Sequence, residues 1–255
     1  MRNPTEKKSL RDFFSFTANT IYEALHLRGN KHISSMVILR QILFTGYEAL
    51  PLIGFIALAI GALVILQGYS LLSTFGQGNL VQVILVTVVI NELSAVITAL
   101  VVIARSGTAI STELGNMVVN GEIDLLKSFG LSPISYLVVS RLYGVMIAMV
   151  ILTLYFNVIA VLGGWLFAQI FSRIDFAYFM GEFFLQLKAP NLLMIILKPL
   201  VFGLIIAFVS SYQGMSVRQA TTEVPQRTIK AVMQSISLVM ISDIALTWIF
   251  WMLTV

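Results

Sequence analysis

Three ionisable side chains stand inside runs that are otherwise almost purely apolar: Glu92 in 80–104, Lys198 in 192–212 and Asp243 in 231–255. An isolated charge at the centre of a bilayer costs at least about 2.5 kcal/mol, so such groups face one another, a wet cavity or polar cargo. Two uses are open: structural Glu–Lys or Asp–Lys pairing, and a pathway that handles the polar part of a substrate. Glu92 and Asp243 fall about 12 residues into their runs, near mid-membrane at helical rise. Lys198 lies nearer the outer end of its run, beside Pro199, which is expected to kink the helix. Catalytic chemistry finds little material. There is no cysteine, and the two histidines, His26 and His32, lie near the amino end and are expected to be interfacial. No Gly-Lys dipeptide occurs, which excludes the G-x-x-x-x-G-K-[ST] phosphate loop, and neither H-E-x-x-H nor G-x-S-x-G is present. No catalytic residue, metal site or cofactor of its own is therefore expected.

The elements that must position these charges follow from composition. With 58% apolar and only 11% charged residues among 255, and a mean hydropathy of +0.93, the chain is an integral membrane protein. Five spans are predicted, over 49–72, 80–104, 142–170, 192–212 and 231–255, with a tight turn over 73–79. Residues 9–27 mix Phe13, Phe14 and Phe16 with Arg11, Asp12 and Glu23, too polar to span but suited to lying on the surface. After a turn at Gly29 and Asn30, residues 33–50 carry Arg40, Gln41 and Glu48 and predict an elbow entering the membrane. Asp175 is expected to cap a surface helix bearing Phe176, Phe179, Met180, Phe183, Phe184 and Leu187. Small-residue stripes, Gly203–Ala207–Ser211 and Ala57–Gly61, permit close helix packing. No repeat or linker divides the chain, so a single domain over 1–255 is expected, with 1–48 as interfacial helix and elbow and 49–255 as bundle.

The longest polar interruption is 104–141. Its middle predicts a short helix: Asn120 as cap, Glu122 and Asp124 in the first turn, Lys127 in the last. Gly130 supplies a left-handed stop and Pro133 is expected to prevent a restart. Ile123, Leu126 and Phe129, with Leu125 beside them, place apolar side chains on one side. So short a helix is unstable alone in water. It either docks in a groove of a soluble partner or rests on its own membrane domain.

Orientation follows from basic residues. With the amino end inside, 13 of the 16 Lys and Arg fall on inner segments, leaving Arg173, Lys188 and Lys198 for the outside or the membrane. That asymmetry predicts a cytoplasmic amino end, an external carboxyl end and a cytoplasmic 104–141 segment.

Several short runs, in order, resemble the MlaE (YrbE) permeases. Glu92-Leu93, then Ala104-Arg105-Ser106-Gly107-Thr108-Ala109 and Glu113-Leu114-Gly115-Asn116-Met117, are similar to R-E-L-G-P, G-R-x-G-[SA]-A and E-[IL]-G-x-M. Ile123-Asp124-Leu125-Leu126 with Gly130-Leu131-Ser132-Pro133 resembles E-Q-I-D-A-L and G-V-D-P. Arg40-Gln41-Ile42, Gln67-Gly68, Lys198-Pro199 through Gly203, Tyr212-Gln213-Gly214 and 228–232 extend the likeness over about residues 35–255. Asn91 stands where that family has Arg, Ser94 and Ala95 replace Gly-Pro, and Gly121-Glu122 replace Glu-Gln.

The resemblance implies an all-α permease subunit of an ABC transporter in the bacterial inner membrane. It would move phospholipid to or from a periplasmic MCE partner, in outer-membrane lipid homeostasis and asymmetry. It implies a homodimer, a separate ATPase subunit that uses ATP and Mg, and a STAS-domain companion, with no nucleic acid. Asn120, Glu122, Ile123, Asp124, Leu126, Lys127 and Phe129 would form the cytoplasmic coupling helix, and Glu92, Lys198 and Asp243 would be candidates for the lipid pathway. The competing reading is an ion-coupled secondary carrier for a lipid or amphiphile, with Glu92 or Asp243 binding protons; the repeats usual in such carriers are not visible. Because the chain has no native cysteine, a single Glu122→Cys variant tests the topology. An impermeant maleimide is expected to react only after the membrane is opened, whereas Arg173→Cys reacts from outside.

Overall fold

The computed structural model describes residues 35–74, 80–218 and 220–254, together with Thr17, Thr20 and Glu23, which are helical. The rest of the surface helix expected over 9–27, the Gly29–Asn30 turn and both histidines lie outside the described residues. All regular structure among the described residues is helical. Helix α1 (Ser35–Gly46) leads through a 3-10 turn (Tyr47–Ala49) into α2 (Leu50–Thr74). Residues 75–79 of the expected tight turn are also outside the described set. Helix α3 (Leu80–Val119) follows, then α4 (Glu122–Ser128), α5 (Ser140–Ser172), α6 (Phe176–Gln186), α7 (Ala189–Met215) and α8 (Glu223–Thr254). Among the described residues five helices are long and apolar enough to cross a membrane, the number expected: Ile38–Gly68, Leu80–Val119, Ile134–Phe171, Ala189–Met215 and Glu223–Met252.

Several boundaries differ from expectation: the first candidate span takes in residues 38–48 of the expected elbow, and the fifth begins at Glu223 rather than at residue 231. The second span does not end at residue 104 but continues helically to Val119, 40 residues in all. At about 1.5 Å per residue this is roughly twice the hydrocarbon thickness, so its polar end projects beyond the apolar layer. Arg105 and Glu113 change the solvent a helix prefers without breaking it; both are adequate helix formers. Pro133, moreover, does not block a restart. It caps a π-helical segment, Ile134–Val139, that runs straight into α5. A proline there loses nothing, since an N–H at a helix start has no intrahelical acceptor.

Contacts gather the chain into two compact units, one of residues 1–45, 103–147 and 203–238, the other of 46–102, 148–202 and 239–255. In the second unit α2 and α5 pack backbone to backbone. A side chain at Gly61 would collide with the Ala160 carbonyl, and Gly164 faces Ile65. Ala57, one turn before Gly61, is fully buried. Asp175 caps α6 as expected, its Oδ2 accepting from the Ala177 N–H at 3.0 Å. Phe179 and Phe183 of α6 are buried while Phe184 and Leu185 are exposed. In the first unit the Gly203–Ala207–Ser211 stripe is buried, and Gly214 lies against the Ser111 carbonyl. Both small-residue stripes thus serve contacts inside the subunit. Gly61→Ala is expected to destabilise the protein by about 1–3 kcal/mol through overpacking, seen as a lower thermal midpoint in detergent. Gly46→Ala, which meets nothing within 4 Å, is the matched control.

Candidate functional site

The second unit brings Glu92, Lys198 and Asp243 together. Glu92 is carried by a π-helical stretch of α3, Leu85–Leu93, and just after it the Ser94 hydroxyl donates to the Ile90 carbonyl at 2.7 Å. Such π stretches are frequent at functional positions. Lys198 precedes Pro199 inside α7, where the missing proline N–H leaves one carbonyl of the preceding turn without its usual partner. Asp243 and Thr247 sit four residues apart, on one face of α8.

Lys198 is 1% exposed, and its ammonium is surrounded by oxygen. It donates to Glu92 Oε2 at 2.5 Å and to Thr247 Oγ1 at 2.8 Å. Asp243 Oδ1 lies 2.8 Å away, near enough for ion pairing although outside hydrogen-bonding alignment. Thr247 in turn donates toward Glu92, 3.1 Å from Oε2. A lone buried ammonium would be prohibitive, and these partners offset its desolvation. The three ionisable residues therefore do face one another. Two carboxylates about one ammonium leave a formal excess of one negative charge, and the Glu92 side chain keeps 36% of its surface exposed. Thr247 was missed in the sequence, although its spacing from Asp243 is a signal that finds it.

In the first unit α4 forms as expected, with Glu122 and Asp124 in its first turn and Lys127 in its last. Lys127 pairs with Asp124 at 2.8 Å, both side chains exposed. Asn120 is not the cap. It ends the preceding helix, and Gly121, at φ +74°, occupies the cap position of α4, while the Asn120 amide reaches Glu122 at 3.3 Å. A left-handed backbone at this junction selects glycine. The far end closes as predicted: Gly130 also has φ +74°, its N–H bonds the Lys127 carbonyl, and Leu131 N–H bonds Leu126. This paired closure is the Schellman arrangement. The apolar residues do not share one face. Ile123 is buried and Leu126 half-buried, whereas Leu125 and Phe129 are 56% and 71% exposed. At 100° per residue, Leu125 and Phe129 lie on a different side from Ile123, so α4 rests on its own unit and still presents an unpartnered apolar pair.

Other polar contacts in this unit were not anticipated. Arg141, 6% exposed, pairs with Glu113 at 2.8 Å and donates to the Leu137 carbonyl at 3.0 Å. Thr112 and Thr228 are 3.1 Å apart, and Gln213 bridges to Gln234 at 2.6 Å. Apart from the Arg141–Leu137 bond, each joins segments too far apart in the chain for spacing to reveal. Among the described residues no group of three or more His, Cys, Asp or Glu is placed to hold a metal ion.

Residues 38–249 match the family model described as Permease MlaE. The chain is 31% identical to a probable ABC transporter permease protein of Rickettsia prowazekii, over 84% of this chain and 83% of that one. It is 27% identical to the chloroplastic protein trigalactosyldiacylglycerol 1 of Arabidopsis thaliana, over 84% of this chain and 61% of that one. With the intermembrane phospholipid transport system permease protein MlaE of Haemophilus influenzae it shares 24% identity, over 87% and 84%.

The Lys198 cluster makes a direct prediction. Lys198→Met leaves two carboxylates without their cation and is expected to cost about 3 kcal/mol or more. The triple variant Lys198→Met, Glu92→Gln, Asp243→Asn recovers part of that loss in a thermal melt, because no charge is then left unpaired.

Proposed function

Since the chain belongs to the MlaE permease family, we propose that it is the membrane subunit of an ABC transporter that moves phospholipid between the inner membrane and a periplasmic MCE protein. The observation that carries this reading is α4. Its exposed Leu125 and Phe129 stand on a two-turn helix closed at both ends by left-handed glycines and fixed beneath by Ile123. Such an element is rigid, cannot bury that pair itself, and suits the groove of a soluble subunit.

The chain lacks a phosphate loop, so the ATPase is a separate subunit that uses ATP and Mg. Basic-residue asymmetry supports a cytoplasmic α4, where that subunit binds. Movement of the ATPase is delivered through α4 to α3 and α5, the helices flanking it in sequence. The permease works as a homodimer whose two copies enclose the lipid, with a STAS-domain protein as a further companion. Glu92, Lys198 and Asp243 face the polar part of the lipid, and the exposed portion of Glu92 is the contact surface. The phospholipid cargo is supported by the likeness to the intermembrane phospholipid transport system permease protein of Haemophilus influenzae.

The test is co-purification and ATP-dependent lipid transfer in reconstituted vesicles. Leu125→Asp with Phe129→Asp is expected to abolish association with the ATPase and to reduce transfer to background, while the permease itself stays folded because neither side chain is buried. Survival of the complex in the double variant, or transfer that follows a pH gradient without ATP, overturns the reading.

A further inference from the structure

A cavity of about 570 Å³ in the first unit, separate in its residues from the Lys198 cluster, carries the chemistry of an oxyanion site. Its polar lining includes Arg40, Gln41, Glu113 and Arg141, and its apolar lining includes Phe44 and Leu137. Arg141 is 6% exposed and uses one N–H on Glu113 and one on the Leu137 carbonyl, while its Nε is buried with no hydrogen-bond partner. A guanidinium has five N–H donors, so this buried cation is only partly satisfied by the protein. Arg40 is exposed and makes no ion pair among the described residues. Two guanidiniums against the one carboxylate of Glu113 leave the cavity one positive charge in excess.

Its place in the chain narrows the ligand. Arg40 and Phe44 stand near the start of the first span, Ala109 and Glu113 near the end of the second, and Tyr136 and Arg141 near the start of the third. Consecutive spans run in opposite directions, so these segments share one membrane face, where apolar runs give way to the polar segment 104–141. The volume is in the range of small-ligand sites. Paired guanidiniums suit a tetrahedral oxyanion with several acceptors, which they hold bidentately. The neighbouring phenyl and leucine side chains suit the start of an acyl glycerol.

We propose that this cavity binds a phosphate group, and that the phosphate is the headgroup of a membrane lipid held between Arg40 and Arg141. The site does not depend on the transport reading, and its failure would leave the α4 experiment unaffected.

The test uses the full chain in detergent with whatever subunits copurify, challenged with phosphatidylglycerol, with diacylglycerol of the same acyl chains, and with inorganic phosphate. Native mass spectrometry is expected to show phosphatidylglycerol retained at least about fivefold more than diacylglycerol, as charge-assisted contacts to phosphate require. Arg40→Ala removes most of that difference, while Arg173→Ala, distant in sequence and outside the cavity lining, does not. Arg141→Gln removes it too, and because that change leaves Glu113 without its cation, Arg40→Ala remains the decisive variant if the former fails to fold. Equal retention of diacylglycerol, or an Arg40→Ala protein that behaves like the Arg173→Ala control, overturns the site. Competition by inorganic phosphate at matched concentration upholds the oxyanion site and overturns its assignment to lipid.

Discussion

The ammonium of Lys198 is the interaction on which the second unit depends. Hydrocarbon solvates neither charge nor peptide groups, so every polar atom in the spans must find its partner within the protein. The backbone meets that demand by being helical. Lys198 meets it by gathering Glu92 from one span and Asp243 and Thr247 from another around one nitrogen. Dispersion between apolar side chains holds helices together only weakly in lipid, because the lipid tails are as apolar as leucine. One shared cation fixes which helices are neighbours and at what height they meet. The close backbone contact of Gly61 with Ala160 then supplies packing that the charges alone do not.

A different constraint shapes the first unit, where the chain leaves the apolar layer. Here α3 runs on to Val119 and the polypeptide must turn, present α4 and re-enter through Ile134–Val139. Left-handed glycines at 121 and 130 bracket the turn, so α4 is held by backbone geometry and by the burial of Ile123. Leu125 and Phe129 are left free of that task.

Much of this was legible in the residues. Uninterrupted apolar runs give five spans because only a helix satisfies its own backbone in lipid, and Asp175 is a cap by side-chain chemistry alone. Gly130 announces a left-handed stop. Where reading failed, the cause was local ambiguity or distance. Asn120 and Gly121 are both good caps, and the left-handed backbone at the junction decided for glycine. Pro133 reads equally well as a terminator or as a first helical residue. Ile123, Leu125, Leu126 and Phe129 fall within two turns, too few for periodicity to separate the buried Ile123 and half-buried Leu126 from the exposed pair. Glu113 and Arg141 are 28 residues apart in the chain, and no spacing rule joins them. Thr247 is the exception, since its position one turn from Asp243 was there to be used.

The order of the three charges along the chain bears on biogenesis. Glu92 is synthesised first, Lys198 second and Asp243 last, in a span of whose apolar window only 11% is buried inside the subunit. When that segment leaves the ribosome, the cation it pairs with in the folded protein, and the Glu92 beside that cation, have already been made. The carboxylate that reaches Lys198 from α8 is thus available only once the segment around residue 243 has been made.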